Sequence, residues 1–205
     1  LLRAPTPSIG WLLMNELNLI EKVLPDIVSL PVEPAATALD RAAERRDALA
    51  GTGRQVSLML ATLLHQADAV QTEACLDRLN LHKHHGYPVR KRVLELTQSW
   101  TDVAKSASDA VLRRLADHTE LALLTEVAAA VTGGTAALQN LDRAVHMGIS
   151  TEPMPVLLKG RDLTSLGVEQ GPSMGEAMRA VRHAQIEGQV SDREEAIVWL
   201  KDYLT

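Results

Sequence analysis

The sequence predicts an all-α fold, with a helical body around one buried central helix and a small helical tail after it. Apolar residues make up 46% of the 205 residues, yet the chain has no Phe, two Tyr and three Trp. The core must therefore be built from Leu, Ala, Val, Ile and Met. Leu and Ala favour helices, and no stretch alternates apolar and polar residues for long, as a strand would.

The first 30 residues predict two short helices. Thr6 followed by Pro7 is typical of a helix start, because proline at the first helical position loses no needed backbone donor. Asn18 stands between the two apolar stretches, where a residue in the left-handed conformation would end the first helix. Pro25 is expected to end the second helix.

The predicted central helix spans residues 54–70 and follows an Ala-rich helix over 35–50, which Gly51 and Gly53 are expected to end. Its apolar residues cover every side of the helix, so it should be buried. These residues are Leu58, Met59, Leu60, Leu63 and Leu64.

Further helices are expected up to about residue 148, and a small tail after them. One helix should end near Leu79, and Pro88 should open another over 88–104 after the loop HKHHGYP. Helices over 106–117 and 119–132 follow, and the last begins at Thr135. Pro153 and Pro155 mark a linker, so we place a domain boundary at about residue 150.

Glycines punctuate the segment 159–176, which reads KGRDLTSLGVEQGPSMGE. Asp162 can cap a short helix that Gly167 closes in a left-handed turn. Gly171 and Pro172 then read as the start of a longer helix. A glycine at that position leaves backbone N–H groups free to bind a phosphate. The alternative is a tightly packed helix–turn–helix in which the glycines serve packing. Near the C-terminus, Ser191 and Glu194 have the spacing of a capping box.

Charge and cysteine content indicate which partners and which cellular compartment to expect. The net charge is −5 and the pI is near 5.8, which is not the expected footprint of a nucleic-acid-binding protein. Only residues 51–100 are net basic, so any RNA contact must be a local patch or backbone donors elsewhere. Cys75 is the sole cysteine, so a reducing compartment, the cytoplasm, is expected. No apolar run is long enough to span a bilayer, and no membrane partner is expected.

Candidate metal-binding and catalytic residues are sparse. His65 lies at the end of the central helix beside Gln66, and we expect a hydrogen-bonded core histidine rather than a metal ligand. The run from His82 to His85 could bind a transition metal, although a solvated loop is the favoured interpretation. No P-loop, dinucleotide fingerprint or nucleophile–base set is present. We therefore predict no catalytic residue and no metal site.

Basic residues offer a second kind of site. They occur on the helix after Pro88 and on neighbouring helices. These cations either form an ordinary solvated face or contact phosphate groups. The set comprises Arg78, Lys83, Arg90, Lys91, Arg92, Arg113 and Arg114. Arg90 and Lys91 are adjacent on a helix and point in different directions, so not all of these cations can reach one ligand. With so few aromatic residues, RNA recognition would have to read shape and backbone rather than stack on bases.

The segment GRDLTSLGVEQGPSMGEAMRAVRHAQIEGQVSDREEAIVWL resembles the C-terminal part of class II tRNA nucleotidyltransferases and poly(A) polymerases, the CCA-adding enzyme family. That family shows the pattern G-x-D-L-x-x-L-G-x-x-x-G-P-x-x-G, then a helix, an acidic-Gly turn and a final helix. The matching positions are Gly160, Asp162, Leu163, Leu166, Gly167, Gly171, Pro172, Gly175, Gly188, Ser191 and Glu194. The stretch PTPSIGWLLMNELNLIEKVLPDI similarly resembles the end of the family's neck, with Asn18 where the family usually has Gly.

The resemblance implies that residues 1–30 end the neck, 31–150 form a degenerate HD-like body and 151–205 form the tail. In HD-type bodies the central helix ends in Leu-Leu-His-Asp, where His and Asp bind a metal. Here Gln66 replaces the Asp, Pro34 stands near the position of an earlier His, and residues 128–131 read Ala-Ala-Ala-Val where Asp is common. An HD-type phosphohydrolase is therefore the less favoured enzyme alternative.

By the same resemblance, this chain is the RNA-holding half of an enzyme that adds nucleotides to an RNA 3′ end, with tRNA or another RNA as partner. The catalytic head, which would bind Mg²⁺ and CTP or ATP, is absent from these residues. Phosphate positioning is expected from Arg90, Lys91, Arg113, Arg161 and the backbone at Gly171 and Gly175. A stand-alone helical module that binds RNA or protein is the remaining alternative.

Overall fold

The structure is a computed structural model that describes residues 1–204, and within them it is all-α, as the sequence predicts. No strand occurs there; the sole β-type pairing is an isolated bridge between His84 and Tyr87. The first four α-helices are α1 Pro7–Glu16, α2 Leu19–Val23, α3 Val32–Arg46 and α4 Thr52–Leu63, with a 3-10 turn at Pro25–Ile27 between α2 and α3.

Eight further helices follow. They are α5 Ala69–Arg78, α6 Val89–Ser99, α7 Asp109–Ala116, α8 Leu121–Thr132, α9 Ala136–His146, α10 Gly160–Ser165, α11 Pro172–Ile186 and α12 Arg193–Tyr203. A 3-10 turn at Trp100–Val103 follows α6 directly. None of the described helices combines the length and the apolar character that crossing a bilayer requires.

The core of α1–α9, which we call the body, is centred on α4. This helix packs against α3, α6 and α8, and its apolar side chains are almost completely buried. The sequence predicts this burial correctly at Leu58, Met59, Leu60, Leu63 and Leu64. The helix itself is shorter than the predicted 54–70, because the chain leaves the helix at Leu64 and a capping box at Asp68 and Gln71 starts α5.

A second, smaller apolar cluster holds α10–α12, which we call the tail. Its most buried members are Leu158, Leu163, Ala184, Ala196 and Leu200. The chain passes from one cluster to the other between Met154 and Leu157, at the linker that the two prolines indicate. The domain boundary at about residue 150 stays a prediction.

Turn residues account for several helix boundaries. Asn18 has φ 54° and Gly167 has φ 88°, so both adopt the left-handed conformation that the sequence predicts. Gly171 precedes α11 with Pro172 at its first position, also as predicted. Gly51 and Gly53 were expected to end α3, but α3 already ends at Arg46, and the two glycines begin α4.

Two predicted helix caps differ from the structure, that of α12 by one residue and that of α10 by three. The carboxylate of Asp192, not Ser191, caps α12 by accepting from the N–H groups of Glu194 and Glu195, because a charged acceptor stands one residue nearer the helix. Asp162 lies inside the first turn of α10, where it accepts from the backbone N–H of Lys159 at 2.8 Å.

Candidate functional site

Some of the predicted RNA-contacting residues pair with other groups of the protein, and others are exposed to solvent. Arg90 forms an ion pair with Asp77. Its neighbour Lys91 is 74% exposed and forms an ion pair with Glu95 at 3.7 Å. The divergence expected for neighbouring helical residues is therefore present, and Lys91 is the one that faces solvent.

Arg113 lies at the contact between body and tail. Its Nη1 donates to the carbonyl oxygen of Ile186 at 3.2 Å, at the C-terminal end of α11, where a cation also complements the helix dipole. A side chain at Gly188 would collide with this guanidinium, since its Cβ would lie 2.9 Å from Nη1. Arg113 therefore joins the two parts of the chain, a role that its position in the sequence did not reveal.

Gly171, Gly175 and Arg161 lie near two adjoining helix starts. A Cβ at Gly160, the first residue of α10, would lie 3.4 Å from the sulfur of Met174 in the first turn of α11. No side chain caps α11, and its first residue, Pro172, has no N–H. The next N–H groups have no acceptor inside the helix and are open to a ligand.

Arg179 is the residue that sequence reasoning missed. It is exposed, has no ion-pair partner within residues 1–204, and its Nη1 would lie 3.4 Å from a Cβ at Gly175. The spacing of four residues from Gly175 could have indicated it, because residues four apart share one face of a helix.

A groove begins beside Arg179 and runs along the linker. Its wider part is a cavity of about 450 Å³ between α11 and the linker, lined by apolar side chains such as Met178 and Val156 and by Arg179 and Arg182. An adjoining pocket of about 170 Å³ is lined by Lys91 and Arg92. The two parts share Asp117, His118 and Pro153. We call the whole the linker groove.

Arg182 fixes the floor of the linker groove. Its guanidinium pairs with both oxygens of Asp117 and donates to the Met154 carbonyl at 3.1 Å. The amide of Gln185 donates to the Pro155 carbonyl at 3.0 Å. Because these contacts tie α11 to the linker and to the end of α7, Arg182 is structural. The exposed cations of the linker groove are Arg179 and Lys91, and Lys91 shares its charge with Glu95 across an exposed ion pair.

His65 is engaged by the chain itself. Its Nδ1 lies 2.8 Å from the Thr62 carbonyl oxygen, and its Nε2 lies 3.1 Å from the side-chain nitrogen of Gln66. Nδ1 therefore carries the proton, and Nε2 accepts. Burial lowers the pKa of His65, which keeps the ring neutral. Trp100 packs edge-on against the ring at 5.8 Å, so this environment is that of a core histidine.

The loop from His82 to His85 turns tightly, with His85 at φ 48° and Gly86 at φ 82°. The rings of His84 and His85 lie 4.4 Å apart in an edge-on arrangement. No group of three His, Cys, Asp or Glu side chains arranged to hold a metal ion occurs in the described part of the chain.

The chain matches no protein-family profile, no curated protein and no solved structure.

Proposed function

We propose that this chain is the RNA-holding C-terminal half of a tRNA nucleotidyltransferase or poly(A) polymerase. The linker groove is the RNA-contacting surface in this proposal, together with the start of α11. The spacing of glycines, proline and leucines over residues 160–175 supports the family. The supporting observation in the structure is that Arg179 links the open N-terminus of α11 to a groove that extends to Lys91.

The proposed roles follow from the placement of each residue. Arg179, Lys91 and the exposed Arg161 would contact phosphates, and the N–H groups after Gly171 would add uncharged donors. Arg90 and Arg113 are engaged with Asp77 and Ile186 and would act indirectly by holding their helices. Chemistry would belong to a head with Mg²⁺ and CTP or ATP, outside these residues, and the enzyme would work in the cytoplasm.

The overall charge of −5 restricts the form of such binding. Tail carboxylates such as Glu169 and Glu176 lie near the start of α11 and are exposed. Long-range attraction of RNA by the whole chain is therefore weak, and the contact must be short-ranged and confined to a few phosphates. A small dependence of affinity on salt follows from this, rather than the steep dependence of a strongly basic protein.

Titration of fluorescently labelled tRNA at several salt concentrations tests the proposal. With two or three phosphate contacts, we expect the logarithm of the binding constant to fall against the logarithm of salt with a slope of about −2 to −3. Arg179→Gln and Lys91→Gln should each weaken binding about fivefold and reduce the slope by about 1.

Lys105→Gln is the matched control, because Lys105 is exposed on the body, lines neither part of the linker groove and loses the same charge. Its affinity should stay within about twofold of the parent. Affinity without salt dependence, or an equal loss in the control, would contradict the groove as the RNA surface.

One observation favours a protein-binding module as a second candidate function. Large apolar side chains on α1 and α2 are exposed, including Ile9 at 68%, Leu13 at 50% and Leu17 at 56%. Ile9, Leu13 and Leu17 recur every four residues, the spacing of one helix side, and a large exposed apolar patch is typical of a protein-contacting face. Two results together would support this candidate instead. The chain would not bind RNA, and its binding to a protein partner would be lost in the Leu13→Glu variant.

A further inference from the structure

Helix α1 is apolar on two opposite sides, although it lies at the surface of the body. One side packs on α3, where Trp11 is buried and its indole Nε1 donates to the Val32 carbonyl oxygen at 3.2 Å. The opposite side carries Ile9, Leu13 and Leu17, each at least half exposed. A helix with apolar residues on both sides is normally buried on both, so we expect this second side to have a partner.

The exposed side of α1 forms one continuous apolar patch, which we call the α1 patch. Its members are Leu1, Ile9, Leu12, Leu13 and Leu17. Three of them recur at intervals of four residues and therefore form a single ridge along the helix. The Leu1 side chain lies against Gly10 on one flank of this ridge, since its Cδ1 would be 2.6 Å from a Cβ there. Leu12 lies on the other flank.

The ridge of the α1 patch is complementary to a reversed copy of itself. Leu13 lies at its centre, and Ile9 and Leu17, two aliphatic side chains of similar volume, lie four residues to either side. An antiparallel copy related by a two-fold axis near Leu13 would therefore place Ile9 of each chain against Leu17 of the other. Interdigitation of two such ridges is the commonest way in which helices pack in globular proteins.

The charges at the ends of α1 favour the same antiparallel arrangement. Glu16 lies in the last turn, at the negative end of its own helix dipole, and no basic residue accompanies it there. It is exposed and has no ion-pair partner within residues 1–204. The first turn of α1 contains no acidic residue. In an antiparallel pair, Glu16 of each chain would lie near the positive N-terminal end of the other α1, where a carboxylate is stabilising.

The area of the α1 patch suits a weak dimer. Its side chains are between 42% and 68% exposed and together present on the order of 500 Å². Two copies would bury on the order of 1,000 Å², near the lower limit for a specific interface. We propose that the α1 patch binds a second copy of this chain, through an antiparallel contact between the two α1 helices. The inference names a partner for the protein-contacting face and does not rest on RNA binding.

Analytical ultracentrifugation of the chain between about 5 and 500 µM tests the inference. We expect the mass to rise from 22.3 kDa toward twice that value, with a dissociation constant of about 10 to 100 µM. Leu13→Glu should weaken association at least about tenfold, because it brings two like charges together at the two-fold axis. Val145→Glu is the matched control, since Val145 is 58% exposed on α9, which packs against α7 and α8. Its dissociation constant should stay within about twofold of the parent.

Disulfide cross-linking with diamide as the oxidant tests the antiparallel direction. Leu13→Cys should form a disulfide between two chains, because position 13 lies at the axis. Ile9→Cys alone should not, whereas an equimolar mixture of Ile9→Cys and Leu17→Cys should cross-link, since those positions face each other. The native Cys75 has no exposed surface, so it should not interfere.

The outcomes separate as follows. A mass that stays at 22.3 kDa up to about 500 µM would overturn the dimer, as would an equal loss in Leu13→Glu and Val145→Glu. If Leu13→Glu fails to fold, Leu17→Glu decides, because Leu17 is more exposed. Cross-linking of Ile9→Cys to itself would contradict the antiparallel contact. Because each chain carries a net charge of −5, salt should strengthen the dimer, whereas it weakens RNA binding, so failure of one proposal is distinguishable from failure of the other.

Discussion

The body and the tail are both helical, but different interactions hold them. In the body, α3, α4 and α8 surround a core of fully buried side chains, including Leu39, Leu58 and Leu124. The tail has three helices around a few such residues, of which Leu163 and Leu200 are the largest with no exposed surface. Because buried apolar area supplies most of the stability of a fold, we expect the tail to have a small free energy of unfolding.

The attachment of the tail to the body is largely polar. Arg182 with Asp117, Arg113 with the Ile186 carbonyl, and Arg114 with Glu187 all connect α11 or its end to α7. Polar contacts of this kind specify an orientation but contribute less free energy than a shared apolar core. The body is therefore held together by buried apolar surface, whereas ion pairs and hydrogen bonds set the position of the tail on it.

Truncating one leucine in each core should give the largest difference in unfolding behaviour between body and tail. Leu58→Ala and Leu163→Ala should each cost about 3 kcal/mol, since both side chains are fully buried. In the body this loss should lower the urea midpoint of the whole chain. In the tail it should remove most of the local stability, so that α10–α12 unfold while α4 stays folded.

Hydrogen exchange measured by mass spectrometry distinguishes these results. We expect Leu163→Ala to abolish protection over residues 160–203 and to leave protection over 52–63 unchanged. Equal loss of protection in both segments would show that the two cores unfold as one unit, and the contrast drawn between them would fail.

The Arg182–Asp117 pair should have an intermediate effect. The two side chains are 23% and 19% exposed, so solvent screens the pair only in part. A double-mutant cycle with Arg182→Gln and Asp117→Asn should give a coupling free energy of about 1 to 2 kcal/mol in urea unfolding of the tail.

Arg114→Gln is the control for that cycle, because Arg114 pairs with Glu187 at the same contact but is 59% exposed. Its effect should stay below about 0.5 kcal/mol. A coupling for Arg182 and Asp117 no larger than this would mean that other contacts hold the tail in place.

The smallest predicted effect concerns pH and belongs to the body alone. Burial lowers the pKa of His65 in the folded chain, so the unfolded chain binds the proton first as the pH falls below about 6.5. The stability associated with the neutral ring is complete above that pH and is lost as the pH falls toward the lowered folded pKa. The slope cannot exceed about 1.4 kcal/mol per pH unit for one proton.

Urea unfolding between pH 7.5 and pH 5 measures this dependence. His65→Gln should unfold with a flatter pH profile, whereas His82→Gln, on the exposed loop, should keep the profile of the parent chain. Identical profiles for the parent and His65→Gln would contradict the buried, neutral environment of His65.

Secondary structure was predictable because its signals are local. Asn18, Gly167 and the Gly171–Pro172 pair mark helix boundaries by backbone conformation alone, and the structure has them as predicted. The sequence predicts the cap of α12 at Ser191 rather than at Asp192, because both residue types can cap a helix and the preference between adjacent candidates depends on backbone angles.

The candidate sites depended on contacts distant in sequence. Arg90, Arg113 and Arg179 look alike in the sequence, yet the fold gives the first a carboxylate of α5, the second a carbonyl of α11 and the third an open groove. The sequence predicts that Gly51 ends α3 and that the histidines form a solvated loop. In the fold, Gly51 and the loop histidines line one cavity, because Tyr87 packs over Gly53.

The helical class, the burial of α4 and several chain turns follow from the sequence, since hydrophobic periodicity and backbone preference act over a few residues. Which cations are paired and where cavities form follow from the packing of the helices. Those properties depend on which groups meet across distances of 13 to 90 positions along the chain, and the Arg54–Glu120 and Arg182–Asp117 pairs are examples.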